Sequence, residues 1–578
     1  MLNNSPVVKS NGARVLFIGS AAITALLLQW MHHLRLSGDQ HGLATIFFVL
    51  FAYEDYYPTI FALLILMVAA LTPTLPALRN AVRWIGEHPI SIAGISLVAM
   101  VFGTLFIYHN HPLSMDEYAA VFQSRIFANG HLSGKFPVPI LDWLIPPGFQ
   151  NYFLNVSRVT GEVSETYWPG FALLLTPFTL IGAPWLCNPV VSALTLLAIH
   201  KLALELFDDH EAAGLALLLT IASPVIFANG ISYYSMPAHL LCNAVFSLLL
   251  LRPTTTKAAL AGFVGSVALC LHNPVPHILF ALPWLAWLST RPDRSQLLIS
   301  ICAGYLPLCL LLGIGWFLYS GQLVYAVDLA TAGAEKISTT DQLHNRLSIF
   351  SLPDTTVLLA RVIGLAKIWI WAVPGLLILA ATGTRNWRSS APCRLLAASA
   401  LLTVLGYIFV PVDQGHGWGY RYFHSAWLAL PMLATAALYR PVKATVDPHA
   451  VFSFSDDSSR GFITVCALLM LIIGIGWRAW EMQSFMAADL AQLPHYTGAE
   501  PQIVIVNPAF SFYGADLVQN DPFLRGNVTR MYSHGPQADN AMMTQYYPGF
   551  HLVHVDRYGT VWSKAAQTSS LSQQHQQR

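Results

Sequence analysis

PISIAGISLVAMVFGTLFIYHNHPLSMDEYAAVFQSRIFANG, residues 89–130, joins an uncharged apolar stretch to a polar one in which two acids stand side by side. As a helix, Pro89–Tyr108 is long enough to cross the roughly 30 Å hydrocarbon core of a bilayer. Asp116-Glu117 follows eight residues later, at the start of a long polar loop. A carboxylate at a lipid–water boundary suits general-base chemistry on an acceptor hydroxyl. Ser114–Gly130 also has the pattern of an amphipathic helix capped by Ser114, whose first-turn acids complement the helix dipole. The two roles are compatible.

The rest of the chain supports a membrane setting. Of its 578 residues, 55% are hydrophobic and only 10% charged, against about 25% charged in a soluble domain. The mean hydropathy is +0.53. The net charge of +1 gives no basic surface for nucleic acid. The expected fold class is an α-helical polytopic membrane protein of about thirteen transmembrane helices. The expected spans are 13–33, 58–78, 89–108, 185–206, 212–229, 236–251, 258–272, 275–289, 296–319, 361–382, 394–411, 421–438 and 462–480. Lys9, Arg14, Arg79, Arg83, Arg252, Lys257, Arg291, Arg294, Arg385, Arg388, Arg394, Arg440, Lys443 and Arg460 mark cytoplasmic loops by the positive-inside rule. That places the N-terminus in the cytoplasm and the C-terminus in the periplasm, provided the short stretch Phe171–Ile181 does not cross. Seven cysteines with no CxxC pair argue against a disulfide or zinc-thiolate framework.

Polar residues gather where this threading puts the outer helix ends. GISYYSMPAH (Gly230–His239), LHNPVPH (Leu271–His277) and VDQGHGWGYRYFH (Val412–His424) supply His239, His272, His277, His416, Tyr420 and Arg421. The planar fork of Arg421 matches phosphate oxygens. These residues also have ordinary roles. Tyrosine and histidine anchor helix ends at the interface, histidine caps helices beside proline, and arginine snorkels to headgroups. No HExxH motif or tight His/Asp cluster appears, so no metal or cofactor is expected. Strong charges are expected to avoid span centres, which argues against a transporter with midplane charges in broken helices.

The pattern of an apolar helix, then Asp116-Glu117-Tyr118 opening a large loop, then Tyr167-Trp168-Pro169-Gly170 entering a short apolar stretch, resembles the GT-C superfamily of membrane glycosyltransferases. That superfamily includes protein O-mannosyltransferases, lipid A aminoarabinose transferases and bacterial mannosyltransferase-like integral membrane proteins. The resemblance covers roughly residues 89–440. It implies a polyprenyl-phosphate sugar donor, an extracytoplasmic acceptor and inversion at the sugar carbon. Asp116 would be the base and Glu117 its neighbour, in an enzyme of the cell inner membrane. The acid-free loop Gly230–His239 departs from the metal-dependent members. The expected domains are N-terminal transmembrane helices at 1–88 and a GT-C-like catalytic domain at 89–480 with its outer loop at 109–168. A small extracytoplasmic α/β region at 481–563 and a disordered tail at 564–578 follow. The alternative from another class is a transporter or flippase for a lipid-linked glycan, and a third reading is an assembly scaffold.

Overall fold

The computed structural model describes residues 12–73, 75–325, 350–386, 390–442, 444, 454–495, 500–510 and 512–564. The expected tail beyond residue 564, together with Lys9, Arg388 and Lys443, lies outside the described residues. The chain forms two compact units. One contains residues to 110, 185–316 and 338–482, and the other 111–184, 317–337 and 483 onward.

The first unit is helical. Among the described residues, Gly12–Ser37, Thr45–Leu71, Pro89–Phe106, Pro184–Phe207, Arg294–Leu323 and Asp457–Leu490 are long and apolar enough to cross a membrane. The pair His210–Ile221 and Pro224–Gly230, bent by 62°, makes a seventh if it is one span. The chain is a multi-pass membrane protein. Leu26, Ile90, Val98 and Leu311 are exposed on these helices, an apolar surface that suits lipid tails and not water.

Prolines shift three of the expected spans. The expected span 361–382 is two helices, Thr355–Ile370 and Leu376–Asn386. Between them lies Pro374-Gly375, where proline cannot continue the helix and Gly375 takes φ +93°. The span 212–229 bends at Ser223-Pro224. The span 58–78 begins earlier, at Thr45, and ends at Leu71. Pro76–Glu87 then forms a separate helix. That helix packs closely on His210–Ile221, because a Cβ on Gly86 or Gly214 would lie within 2.0 Å of the facing backbone.

Strong charges do enter the apolar helices. Asp55, inside the Thr45–Leu71 span, accepts hydrogen bonds from Lys367 Nζ at 2.7 Å, Trp371 Nε1 at 2.8 Å and Arg478 Nη2 at 2.6 Å. Arg478 also pairs with Glu481 at 2.8 Å and lies 3.9 Å over the Trp371 ring. All four charged groups are buried. A buried charge is tolerated only when partners replace its water, and here each has one.

In the second unit, the loop helix Met115–Ala128 packs on the short helix Gly170–Leu180 and on an antiparallel sheet of order β1-β3-β2. Its strands are Gly134–Lys135 (β1), Leu154–Val156 (β2) and Glu162–Glu165 (β3). Gly170–Leu180 has 11 residues, about 16 Å of helix, and is too short to span a bilayer alone. A second sheet, of order β5-β4-β7-β6, is built from Gln502–Val506 (β4), Val528–Tyr532 (β5), His551–Asp556 (β6) and Gly559–Ser563 (β7). β4 pairs in parallel with β5 and antiparallel with β7. Central β4 is buried on both faces, so it reads QIVIV without polar alternation. Ile503 and Ile505 share one hydrophobic core with Tyr118, Phe122, Ile126 and Val163. The loop and the C-terminal sheet therefore fold as one body.

Candidate active site

The loop helix starts where its local chemistry places it. Ser114 and Glu117 form a capping box. The Glu117 carboxylate accepts from the backbone N–H of Leu113 at 2.8 Å and of Ser114 at 3.3 Å, and it is fully buried. Glu117 thus serves to start the helix. Asp116, one residue earlier, is partly exposed. The Tyr167 hydroxyl donates to its Oδ1. Tyr167 belongs to the Tyr167-Trp168-Pro169-Gly170 entry to the short helix, so both halves of the sequence pattern meet at one carboxylate.

The same unit carries other buried acids. Glu165 on β3 is buried and its backbone N–H donates to Gln123 Oε1 at 2.9 Å. Burial pushes the Glu165 carboxyl well above the usual range. Its neighbour Asn155, within a glycosylation sequon, is itself buried and donates to the Glu165 carbonyl at 2.9 Å. Asp516 accepts from the Met115 N–H at 2.7 Å. Burial, with Asp489 and Asp116 nearby, pushes Asp516 up to about 8. Asp489 lines a cleft of about 410 Å³ together with Phe485, Phe510, Phe512 and Tyr513. Asp516 escapes sequence reading because only the fold brings it near Asp116.

The remaining predicted residues lie in the helical unit. The segment Val412–Tyr420 turns on Gly415, Gly417 and Gly419, all at positive φ. A Cβ on Gly417 would lie 2.4 Å from the Arg421 side chain, so glycine is what lets that arginine cross the loop. Arg421 receives its backbone setting from Gln414, whose Oε1 accepts the Arg421 N–H at 2.8 Å. Its guanidinium donates to the Gln414 carbonyl and sits 4.8 Å over the Tyr234 ring. His416 stacks on the same ring at 6.3 Å. Tyr420 is buried, its ring against Gly364.

His239 is a second centre. It is 2% exposed, and among the described residues neither ring nitrogen has a hydrogen-bond partner. His272, His277 and His424 are its electrostatic neighbours. Both nitrogens of His277 are engaged, with Asn243 Oδ1 at 2.7 Å and the Tyr305 hydroxyl at 2.7 Å. His277 therefore ties helices together. Arg361, missed by sequence reading inside an apolar helix, donates to the carbonyls of Tyr407, Val410 and Val412 and fixes the base of the glycine loop. Among the described residues, no three His, Cys, Asp or Glu side chains are grouped to hold a metal.

No protein-family profile matches the sequence, and no curated protein does. Solved structures do. ArnT from Cupriavidus metallidurans bound to undecaprenyl phosphate matches with a TM-score of 0.51 and 13% identity, over 83% of this chain and 98% of that one. The apo form of the same protein matches with a TM-score of 0.50 and 13% identity, over 82% and 98%. ArnT is a GT-C glycosyltransferase. The chain shares the fold of ArnT.

Proposed function

We propose that the protein is an inverting membrane glycosyltransferase that moves a sugar from a polyprenyl phosphate to an extracytoplasmic acceptor. The observation that carries this is a partly exposed carboxylate, Asp116, held by Tyr167 at the head of the loop helix of a GT-C fold. In the reaction, the acceptor hydroxyl oxygen attacks the sugar carbon and its proton passes to Asp116. The bond from that carbon to the phosphate oxygen breaks, and its electron pair leaves on the phosphate. Arg421 meets the growing negative charge, as fixed cations do in phosphate-releasing reactions. The aromatic cleft with Asp489 offers an acceptor apolar faces and a hydrogen-bond acceptor. Comparison of polyprenyl-linked and envelope glycans by mass spectrometry, with and without the gene, tests the reading. Unchanged glycans in both fractions contradict it.

Arg421 yields a sharper expectation. Lysine keeps the charge but loses the fork and the flat contact with Tyr234. Arg421→Lys should weaken binding of undecaprenyl phosphate, and Arg421→Ala should weaken it more. Isotherms on purified protein check this, and equal affinities across the three proteins remove Arg421 from the phosphate site. The reading also sets the protein in the inner membrane with the N-terminus cytoplasmic and the C-terminus periplasmic. An alkaline phosphatase fused to the C-terminus should then be active. A dark fusion reverses the orientation.

A further inference from the structure

The start of the loop helix is held by a segment some 400 residues away in the chain. Gln519 Nε2 donates to the Pro112 carbonyl at 2.7 Å. The Met115 N–H donates to Asp516 Oδ1 at 2.7 Å. The Tyr118 hydroxyl accepts from the Asn520 N–H at 2.8 Å and donates to the Asn520 carbonyl. Asn520 is itself pinned to β5, since its Oδ1 accepts the Arg530 N–H at 2.8 Å and its Nδ2 donates to the Arg530 carbonyl at 2.8 Å. Residues 516–520 thus hold the backbone just before Asp116 and the Tyr118 side chain just after it. A helix needs some acceptor for its first N–H groups, but a buried carboxyl is a costly choice for that task alone.

We propose that Asp516 is a positioning residue for Asp116, fixing the helix start from which Asp116 projects and setting the negative charge that Asp116 faces. The inference rests on the reading of Asp116 as the base. The titratable groups facing Asp516 are Asp116 on the loop helix and Asp489 on the helix Ile475–Leu490. Burial and these two acids hold the Asp516 proton up to a pH of about 8. Near neutrality the group is uncharged and accepts the Met115 N–H through its carbonyl oxygen. As it ionises, a second negative charge stands by Asp116 and raises that carboxylate's proton affinity. A base of higher proton affinity takes the acceptor proton more readily.

The test uses washed membranes, which retain their own lipid-linked donor, and follows the glycan product that is lost when the gene is removed. Asp516→Asn keeps an acceptor for Met115 and cannot ionise. It should turn over like wild type at pH 7 and lack the several-fold rise expected of wild type through pH 8. Asp516→Ala removes the acceptor, and turnover should fall by about 10–100-fold, the scale of a catalytic group displaced by about an ångström. Undecaprenyl phosphate affinity should stay unchanged in both variants. Asp116→Asn is run beside them. If it is inactive while both Asp516 variants follow wild type at every pH, Asp516 has no such role and the base assignment stands. If Asp116→Asn is fully active, the base assignment fails and this inference with it. Should Asp516→Ala not fold, the pH profile of Asp516→Asn decides alone, and a profile matching wild type overturns the proposal.

Discussion

Asp116→Asn should lower glycosyl transfer by about 10²–10⁴-fold, the usual share of a positioned general base, while the protein melts as wild type does. The amide keeps the size of the carboxylate and can still accept the Tyr167 hydroxyl. It has no lone pair basic enough to take the acceptor proton. The cap that starts the helix is made by Ser114 and Glu117. The neighbouring substitution gives the contrast. Glu117→Ala removes the acceptor for the Leu113 and Ser114 amides and leaves them buried, so it should cost about 1–2 kcal/mol of stability. Melting in detergent and transfer assays on both variants separate the two acids. A stable Asp116→Asn protein with full transfer activity would exclude Asp116 as the base.

The membrane class was legible in the sequence because its signal is local. Uncharged runs near 20 residues have no other common use, whereas the contact of Asp116 with Tyr167 joins segments 51 residues apart. Other features depend on contacts between distant segments. QIVIV at β4 is readable as a strand, but its parallel partner β5 reads VTRMY at the sheet edge, with too little apolar character to announce itself. The span at 361–382 was drawn through Pro374-Gly375 because hydropathy averages over a window and geometry does not. Glu117 reads as half of a catalytic pair, yet its spacing of three from Ser114 is also that of a capping box, and the structure uses it so. Lys367 and Arg478 sit in apolar helices as isolated charges that the window also smooths away. Their partner Asp55 is more than 300 residues from either in the chain, so their pairing cannot be read from neighbours.

Asp55→Leu should destabilise the helical unit by about 3–5 kcal/mol, the scale on which removing one partner of a buried ionic group strands the others. In the intact protein Asp55 accepts from Lys367, Trp371 and Arg478 together. Without it, Lys367 keeps a buried positive charge with no anion in contact, whereas Arg478 retains Glu481 at 2.8 Å. The damage should therefore centre on Lys367. Lys367→Met in the Asp55→Leu background removes that stranded charge and should recover much of the loss, so the two substitutions should be far from additive. Lys367→Met alone should cost less than Asp55→Leu, because Asp55 still receives Arg478 and Trp371. Thermal melting of the four proteins in one detergent measures the cycle. A single Asp55→Leu protein as stable as wild type, or a double variant that simply sums the single losses, would show that the network does not hold these helices together.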